Sequence, residues 1–435
     1  MNRCGDSYEA FIAAREQLGG DHGFAPLWLP DALFPFQRHL VEWSLRRGRA
    51  ALLEDCGLGK SVQELTWAEN VARHTGGRVL VLTPLAVGRQ MVAEGEKFGI
   101  ECSRDEGARI SVANHERLHH FSPDDFAGVV ADEASILKSF DGRIRQAVTE
   151  FMRRIPFRLL GTATAAPNDA NTSDLRRKWR LHSGGDGTRQ KWRFKGHAEG
   201  PFWRWVCSWA RACRKPSDLG FDDAGFVPPP LVECEHVVKA RKLPPGMLFP
   251  SPAVGLSEER EERRRTIAER CEKAAELVDD GEQAVVWCHL NDEGNRLADM
   301  LGSEARQIKG ATPEEEREEI WSAFTSGQLR IVVLKPKVGA WGLNLQNCAH
   351  VVSFTSHSYE QDYQQTRRCW RFGQKRAVRV DRIATEGEAG IAANLRRKSE
   401  AAERMFSALV ANMNDALRVD RRSEYIRPVE VPAWL

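Results

Sequence analysis

The sequence predicts an α/β protein with two doubly wound parallel sheets and a helical or irregular, Trp- and Arg-rich insert between them. Three observations carry this. Short apolar runs alternate with helix-compatible stretches in both halves of the chain, the pattern of strands joined by crossover helices. One early run, residues 50–53, enters a turn that ends in Gly59-Lys60-Ser61, the order a phosphate cradle needs. Residues 165–255 break the alternation with five tryptophans, many basic residues and Pro228-Pro229-Pro230.

Taken in order, residues 1–30 form an entry segment, where Tyr8, Phe11, Ile12 and Leu18 suit one short helix. Pro35 can start a helix that puts Phe36, Leu40 and Trp43 on one face and Gln37 off it. An amide donates and accepts at once, which suits the edge of adenine; a solvent-facing glutamine is the plain alternative. After the glycine turn, residues 62–74 read as a helix. Strands are predicted at 78–83, 110–113, 128–133 and 157–164, with a helix at 86–98. Ligands bind beyond the carboxyl ends of strands in such sheets. One crevice can therefore collect the Gly/Lys/Ser turn, Asp132-Glu133 and the Thr162/Thr164 pair.

A second alternating unit begins near Leu256, with a charged helix at 258–278 and another at 294–301. Its strands are predicted at 284–289, 330–334, 350–354 and 378–383. The tail places Met405, Phe406, Leu409, Met413 and Leu417 on one stripe and is expected to pack on the second lobe. The expected divisions are 1–30, 31–175, 176–255, 256–400 and 401–435.

A chain of 435 residues exceeds one ordinary domain. Its net charge of +2 announces no polyanion in bulk, yet residues 176–215 set many Arg and Lys against only Asp186 and Glu199. Such local asymmetry can hold a polyanion. The ten cysteines are scattered with no C-x-x-C pair, which argues against structural zinc or a disulfide framework. No apolar stretch is long enough to cross a bilayer, and residues 1–6 lack a signal-peptide core, so a cytoplasmic protein is expected.

Hydrolysis of a nucleoside triphosphate needs phosphate neutralisation, a placed Mg2+, an oriented water and a cation on the departing charge. Gly57, Leu58 and Gly59 offer backbone amides, and Lys60 a mobile charge. Ser61 and Asp132 can hold Mg2+ directly or through water, and Glu133 can activate the water. A full phosphate-loop signature would put glycine at position 54, where the chain has Glu54. The turn taken alone therefore also fits an ordinary strand-to-helix connection. The remaining cation is sought downstream: if residues 361–374 are helical, Gln364, Arg368 and Arg371 share one face. A basic face on DNA or solvent is the other reading.

The ordered set resembles helicase superfamily two, and specifically the Swi/Snf-type ATPases, over about residues 31–385. Phe34-Pro35-Phe36-Gln37 is similar to the adenine-reading Q motif, and residues 55–61 to motif I. Leu82-Thr83-Pro84-Leu85 resembles motif Ia, Asp132-Glu133-Ala134-Ser135 motif II, and Gly161-Thr162-Ala163-Thr164 motif III. Residues 339–346, which include Gly342, resemble motif V. Residues 364–374 resemble motif VI, with Arg368 and Arg371 in the arginine positions. Residues 191–197 and 214–220 look like the compact branch carried by bacteriophages and prophages. Ser135 stands where many relatives have His, which bears on coupling between lobes, and Gln365 replaces the usual alanine.

The resemblance implies two RecA-like lobes that use ATP and Mg2+ to track along duplex DNA with little sequence preference. It implies nucleotide contacts from Gln37, Gly57, Leu58, Gly59, Lys60, Ser61 and Gly342, and coupling through Thr162, Thr164 and Gln364. Catalytic roles fall to Lys60, Glu133, Arg368 and Arg371. Thr83 and Pro84, with Arg193 and Lys195 of the insert, would touch nucleic acid. Two alternatives stay open: a strand-separating DNA or RNA helicase, and an ATP-gated DNA clamp or adaptor without turnover. The expected partner is DNA, duplex before single-stranded, in a bacterial or phage-infected cytoplasm. A nuclease, methyltransferase or replication or recombination protein could accompany it, and neither zinc nor a membrane is expected.

Overall fold

The computed structural model describes residues 21–135, 143–163, 203, 205–241, 256–339 and 344–426. The chain divides into two units. The first comprises Met1–Thr83, Met91–Asp223 and Ala402–Leu435; the second comprises Pro84–Gln90 and Ala224–Ala401.

In the first unit the strands are β1 (Arg49–Glu54), β2 (Arg78–Thr83), β3 (Ile110–Asn114), β4 (Phe126–Ala131), β5 (Phe157–Gly161) and β6 (Ala210–Cys213). They form one parallel sheet in the order β3-β2-β4-β5-β1-β6. Its central strands are mostly apolar and buried over most of their length, with Arg49, Arg78 and Arg158 near their amino ends, as a sheet covered on both faces requires. The helices are α1 (Pro35–Arg47), α2 (Lys60–Thr75), α3 (Gly88–Phe98) and α4 (Arg143–Arg153). Proline at the first position of α1 costs no hydrogen bond there, and Phe36, Leu40 and Leu45 fill its inner face. Each such side chain contributes about 1.5–3 kcal/mol when fully buried.

The second unit holds β7 (Leu231–Val238), β8 (Ala284–Trp287), β9 (Ala305–Ile308), β10 (Ile331–Leu334), β11 (His350–Phe354) and β12 (Val378–Thr385). These too are all parallel, in the order β7-β12-β11-β8-β10-β9. Its helices are α5 (Leu256–Arg265), α6 (Ile267–Leu277), α7 (Asn291–Leu301), α8 (Glu314–Thr325), α9 (Tyr359–Cys369) and α10 (Ala389–Ile426), the last running on into the first unit's residues. An ion pair with no exposed surface, Arg270 to Glu293 at 2.7 Å, joins α6 to α7. The fully buried Asp381 carboxylate accepts from His236 on β7 (2.7 Å) and His350 on β11 (2.8 Å), tying three neighbouring strands together.

The two parallel sheets agree with the predicted class, and four local expectations need correction. The stretch expected to be insert and connector contributes a strand to each sheet, β6 and β7. The single helix expected at 258–278 is two. Thr266 breaks it, its hydroxyl donating to the Glu262 carbonyl (2.7 Å) and accepting from Arg270 Nε (3.2 Å). The apolar stripe of the tail is real, with Phe406, Leu409 and Met413 buried. Its contacts, however, are with first-unit residues: Cys207 Sγ donates to the Leu409 carbonyl (3.7 Å), and Arg214 pairs with Glu403 and covers the Phe406 ring. Lastly, one arginine of the basic run is taken up by the fold, while Lys215 at its end is exposed. Arg211 is buried, donates to the Cys207 carbonyl and stacks 4.3 Å over the Trp43 ring.

Candidate functional site

Three adjacent strands of the first sheet, β4, β5 and β1, carry the predicted site residues at their carboxyl ends. Backbone bonds extend this edge: Asp132 N donates to the Leu82 carbonyl (2.9 Å) and Thr162 N to the Leu52 carbonyl (3.1 Å). Register sets Gly161 beside Leu52 and Leu160 beside Ala131. The strand ends therefore lie side by side because their apolar bodies do.

Between β1 and α2 the turn takes left-handed backbone at Gly57 (φ 92°) and Gly59 (φ 79°). Gly59 has a second reason to lack a side chain, since a Cβ there would stand 2.4 Å from Gln37 Nε2. Helix α2 starts at Lys60, so its first free amides and positive dipole end face the turn. Lys60 Nζ donates to the carbonyls of Glu54 (2.7 Å) and Asp55 (3.1 Å), folding the cation back over its own loop. Burial pulls the Lys60 pKa down, but Cys56, Glu133, Glu54 and Asp132 outweigh it and hold the ammonium above its usual value. The loop cation and the strand-end acids thus share one electrostatic neighbourhood.

Gln37 is buried, contrary to a solvent-facing reading. Its Nε2 donates to the Leu58 carbonyl (2.8 Å), and its Oε1 accepts from Phe34 N (3.0 Å). The amide fastens the turn to the start of α1, leaving one N–H and one lone pair for a base edge.

Asp132 and Glu133 have little exposed surface. The Asp132 carboxylate accepts from Glu133 N (2.8 Å). Glu133 adopts φ 50°, the only positive value at a non-glycine position among the described residues. Such backbone costs about 1–3 kcal/mol and is kept where the surroundings enforce it. Glu133 Oε2 and Ser135 Oγ are buried without a hydrogen-bond partner among the described residues, atoms that an incoming ligand or water would satisfy. This acceptor-rich pair, together with the half-buried Ser61 in the first turn of α2, fits a hard divalent cation such as Mg2+.

Three further acidic or amide groups were missed by sequence reasoning. Burial raises the Glu54 pKa to about 7, against the opposing pull of Lys60 and a hydrogen bond from Gln63 Nε2 (2.7 Å). Burial, then the charge of Asp132, pushes Glu64 well above the ordinary carboxylate range. The available signal was polar residues recurring on a helix that comes directly after the glycine turn: α2 is buried continuously from Val62 to Ala72.

In the second unit Gln364 and Arg368 do share one face of α9, and Arg368 donates to Gln364 Oε1. Arg371 does not belong to that face, because the helix ends at Cys369. Gln374 Nε2 takes the freed Cys369 carbonyl (3.3 Å) together with the Cys348 carbonyl (2.8 Å), and Gly373 turns the chain at φ 89°. Leu345 N also donates to the Arg368 carbonyl (3.0 Å), so the end of the motif V stretch is bonded to α9. Arg367 lies 4.1 Å from the Trp370 ring centroid. Thr83 has no exposed surface, so of the Thr83–Pro84 pair only Pro84 presents any. Thr164, Arg193, Lys195 and Gly342 lie outside the described residues.

Comparison with known proteins adds a family to this geometry. The family model "Helicase conserved C-terminal domain" matches residues 269–373. The SWI/SNF-related matrix-associated actin-dependent regulator of chromatin subfamily A member 1 of Homo sapiens is 33% identical over 122 residues, 26% of this chain and 11% of that protein. The putative ATP-dependent helicase/translocase YwqA of Bacillus subtilis is 27% identical over 145 residues, 31% of this chain and 16% of that protein. Protein CHROMATIN REMODELING 8 of Arabidopsis thaliana is 34% identical over 84 residues, 19% of this chain and 7% of that protein. The matched stretch thus spans less than a fifth of each relative's length. No helix among the described residues is long and apolar enough to cross a membrane.

Proposed function

We propose that this chain, a Swi/Snf-type ATPase of helicase superfamily two, hydrolyses ATP to move along duplex DNA with little sequence preference. The observation that carries the reading is the shared neighbourhood of Lys60, Asp132 and Glu133 at the carboxyl edge of β1 and β4. The loop amides and Lys60 take the phosphates, Lys60 exchanging the Glu54 and Asp55 carbonyls for phosphate oxygens. Ser61 and Asp132 would hold Mg2+, which when bound screens the phosphate charge. Glu133 accepts the proton of the attacking water. Arg368 and Arg371 would supply the cations that neutralise the departing charge, a contribution worth roughly 10³–10⁵ in rate. Backbone-only contact with DNA implies weak sequence preference and steep salt dependence.

The test is ATP turnover with duplex DNA, single-stranded DNA and RNA, in the parent and in Lys60→Ala, Glu133→Gln, Arg368→Ala and Arg371→Ala. Duplex DNA is expected to stimulate most, and each variant to lose the stimulated rate. Stimulation by single-stranded RNA alone would overturn the duplex reading. Unwinding of a forked duplex without displacement of a triplex strand would replace translocation by strand separation.

A further inference from the structure

Helix α2 carries a carboxyl group that the proposed reaction does not use. Glu64 lies one turn beyond Lys60 and has no exposed surface. Both of its carboxyl oxygens are buried without a hydrogen-bond partner among the described residues. It reaches across the sheet face to the end of β5. There a Cβ built on Gly161 would stand 1.8 Å from Glu64 Oε1 and 3.1 Å from its Cδ. The carboxyl thus fills the space that a side chain at position 161 would take. Gly161 is followed directly by Thr162, whose amide continues the sheet onto β1.

From this contact we propose that Glu64 is a positioning residue: its buried carboxyl side chain seats the end of β5, and with it Thr162, against the phosphate loop and the Asp132-Glu133 pair. Charge has no place in that role. The groups around Glu64 are Asp132, Lys60, Glu133 and Glu54, three acids to one base, and burial with Asp132 already pushes its carboxyl toward the protonated form. The role is one of shape and seating, so it predicts reciprocity. Gly161 lacks a side chain because Glu64 is there, and Glu64 is held because Gly161 leaves room.

The inference rests on the nucleotide reading of the site, and its test separates the two. Four variants of the full chain are compared: Glu64→Ala, Glu64→Gln, Gly161→Ala and the double variant Glu64→Ala/Gly161→Ala. Melting temperature, binding of a fluorescent ATP analogue and DNA-stimulated turnover are measured for each. Glu64→Ala is expected to bind nucleotide within about threefold of the parent and to turn over at least about tenfold more slowly. Glu64→Gln, which keeps the shape without the charge, recovers most of that rate. Gly161→Ala melts lower than the parent, and the double variant melts higher than Gly161→Ala alone, because the clash is gone.

A Glu64→Gln variant as slow as Glu64→Ala would overturn the proposal by showing that the charge matters. A Glu64→Ala variant with the parent's rate would overturn it too. A double variant melting no higher than Gly161→Ala would remove the contact itself, and that comparison holds even if the parent shows no turnover, the result that defeats the ATPase reading instead.

Discussion

Gln37 offers the sharpest separation of two roles. Its replacement by alanine deletes a buried bond to the Leu58 carbonyl (2.8 Å) and one from Phe34 N (3.0 Å). Each is worth about 0.5–1.5 kcal/mol net, and stranding a buried carbonyl adds to the loss. Gln63 Nε2 also reaches that carbonyl at 3.3 Å, so the oxygen keeps one longer partner. The total is therefore about 2 kcal/mol, equivalent to roughly 30-fold in a binding constant. The loss falls on the order of the phosphate loop, which every nucleoside triphosphate uses alike. Fluorescent ATP and GTP analogues, titrated in parallel, should both bind about 30-fold more weakly. If GTP binding is untouched while ATP binding drops, the amide reads the base and does not fasten the loop. Unchanged binding of both would refute the energetic reasoning altogether.

Other outcomes derive from the same geometry. Glu133→Gln should retain nucleotide binding while turnover falls by about 10²–10⁴, the usual range for a lost general base, measured in single-turnover experiments. Arg270→Met strands the Glu293 carboxylate in a site with no exposed surface. It should cost about 3–5 kcal/mol in urea denaturation, and Arg270→Met/Glu293→Gln, which keeps an acceptor for the His289 and Leu290 amides (both 2.8 Å), should recover most of it. Burial, aided by Arg263, lowers the His289 pKa from 6.5 to about 4. The unfolded chain therefore binds more protons between those values, so the His289 contribution is intact above pH 6.5 and is lost as pH falls toward 4. The difference at pH 5 is about 1–2 kcal/mol, and His289→Gln should narrow the gap between urea midpoints at pH 7 and pH 5.

The buried strands and the residues at their carboxyl ends were legible because the signals are local. An apolar run leading into Asp132-Glu133, or into a glycine turn and Lys60, announces both a strand and the chemistry at its end. Residues whose placement depends on distant partners were not legible. Glu64 sits on a helix buried on more than one side, where the 3.6-residue period carries no contrast, and Gln37 lies on the buried face of α1 beside Phe36, Leu40 and Val41, where a polar residue does not announce its burial. Arg371 leaves the face of Arg368 because Gln374, five residues beyond Cys369, caps the helix. Strand β6 is only four residues long, and β7 is an edge strand whose alternating exposure reads as a polar connector. The tail stripe was visible, but a stripe does not name the surface that covers it.

The Gln374 amide has a mechanical consequence. By holding the carbonyls of Cys348 and Cys369 at once, it bolts the loop before β11 to the last turn of α9. A tilt of that helix must carry the loop with it. A cut made here, Gln374→Ala, would leave every charged group in place and yet let Arg368 swing without its neighbour.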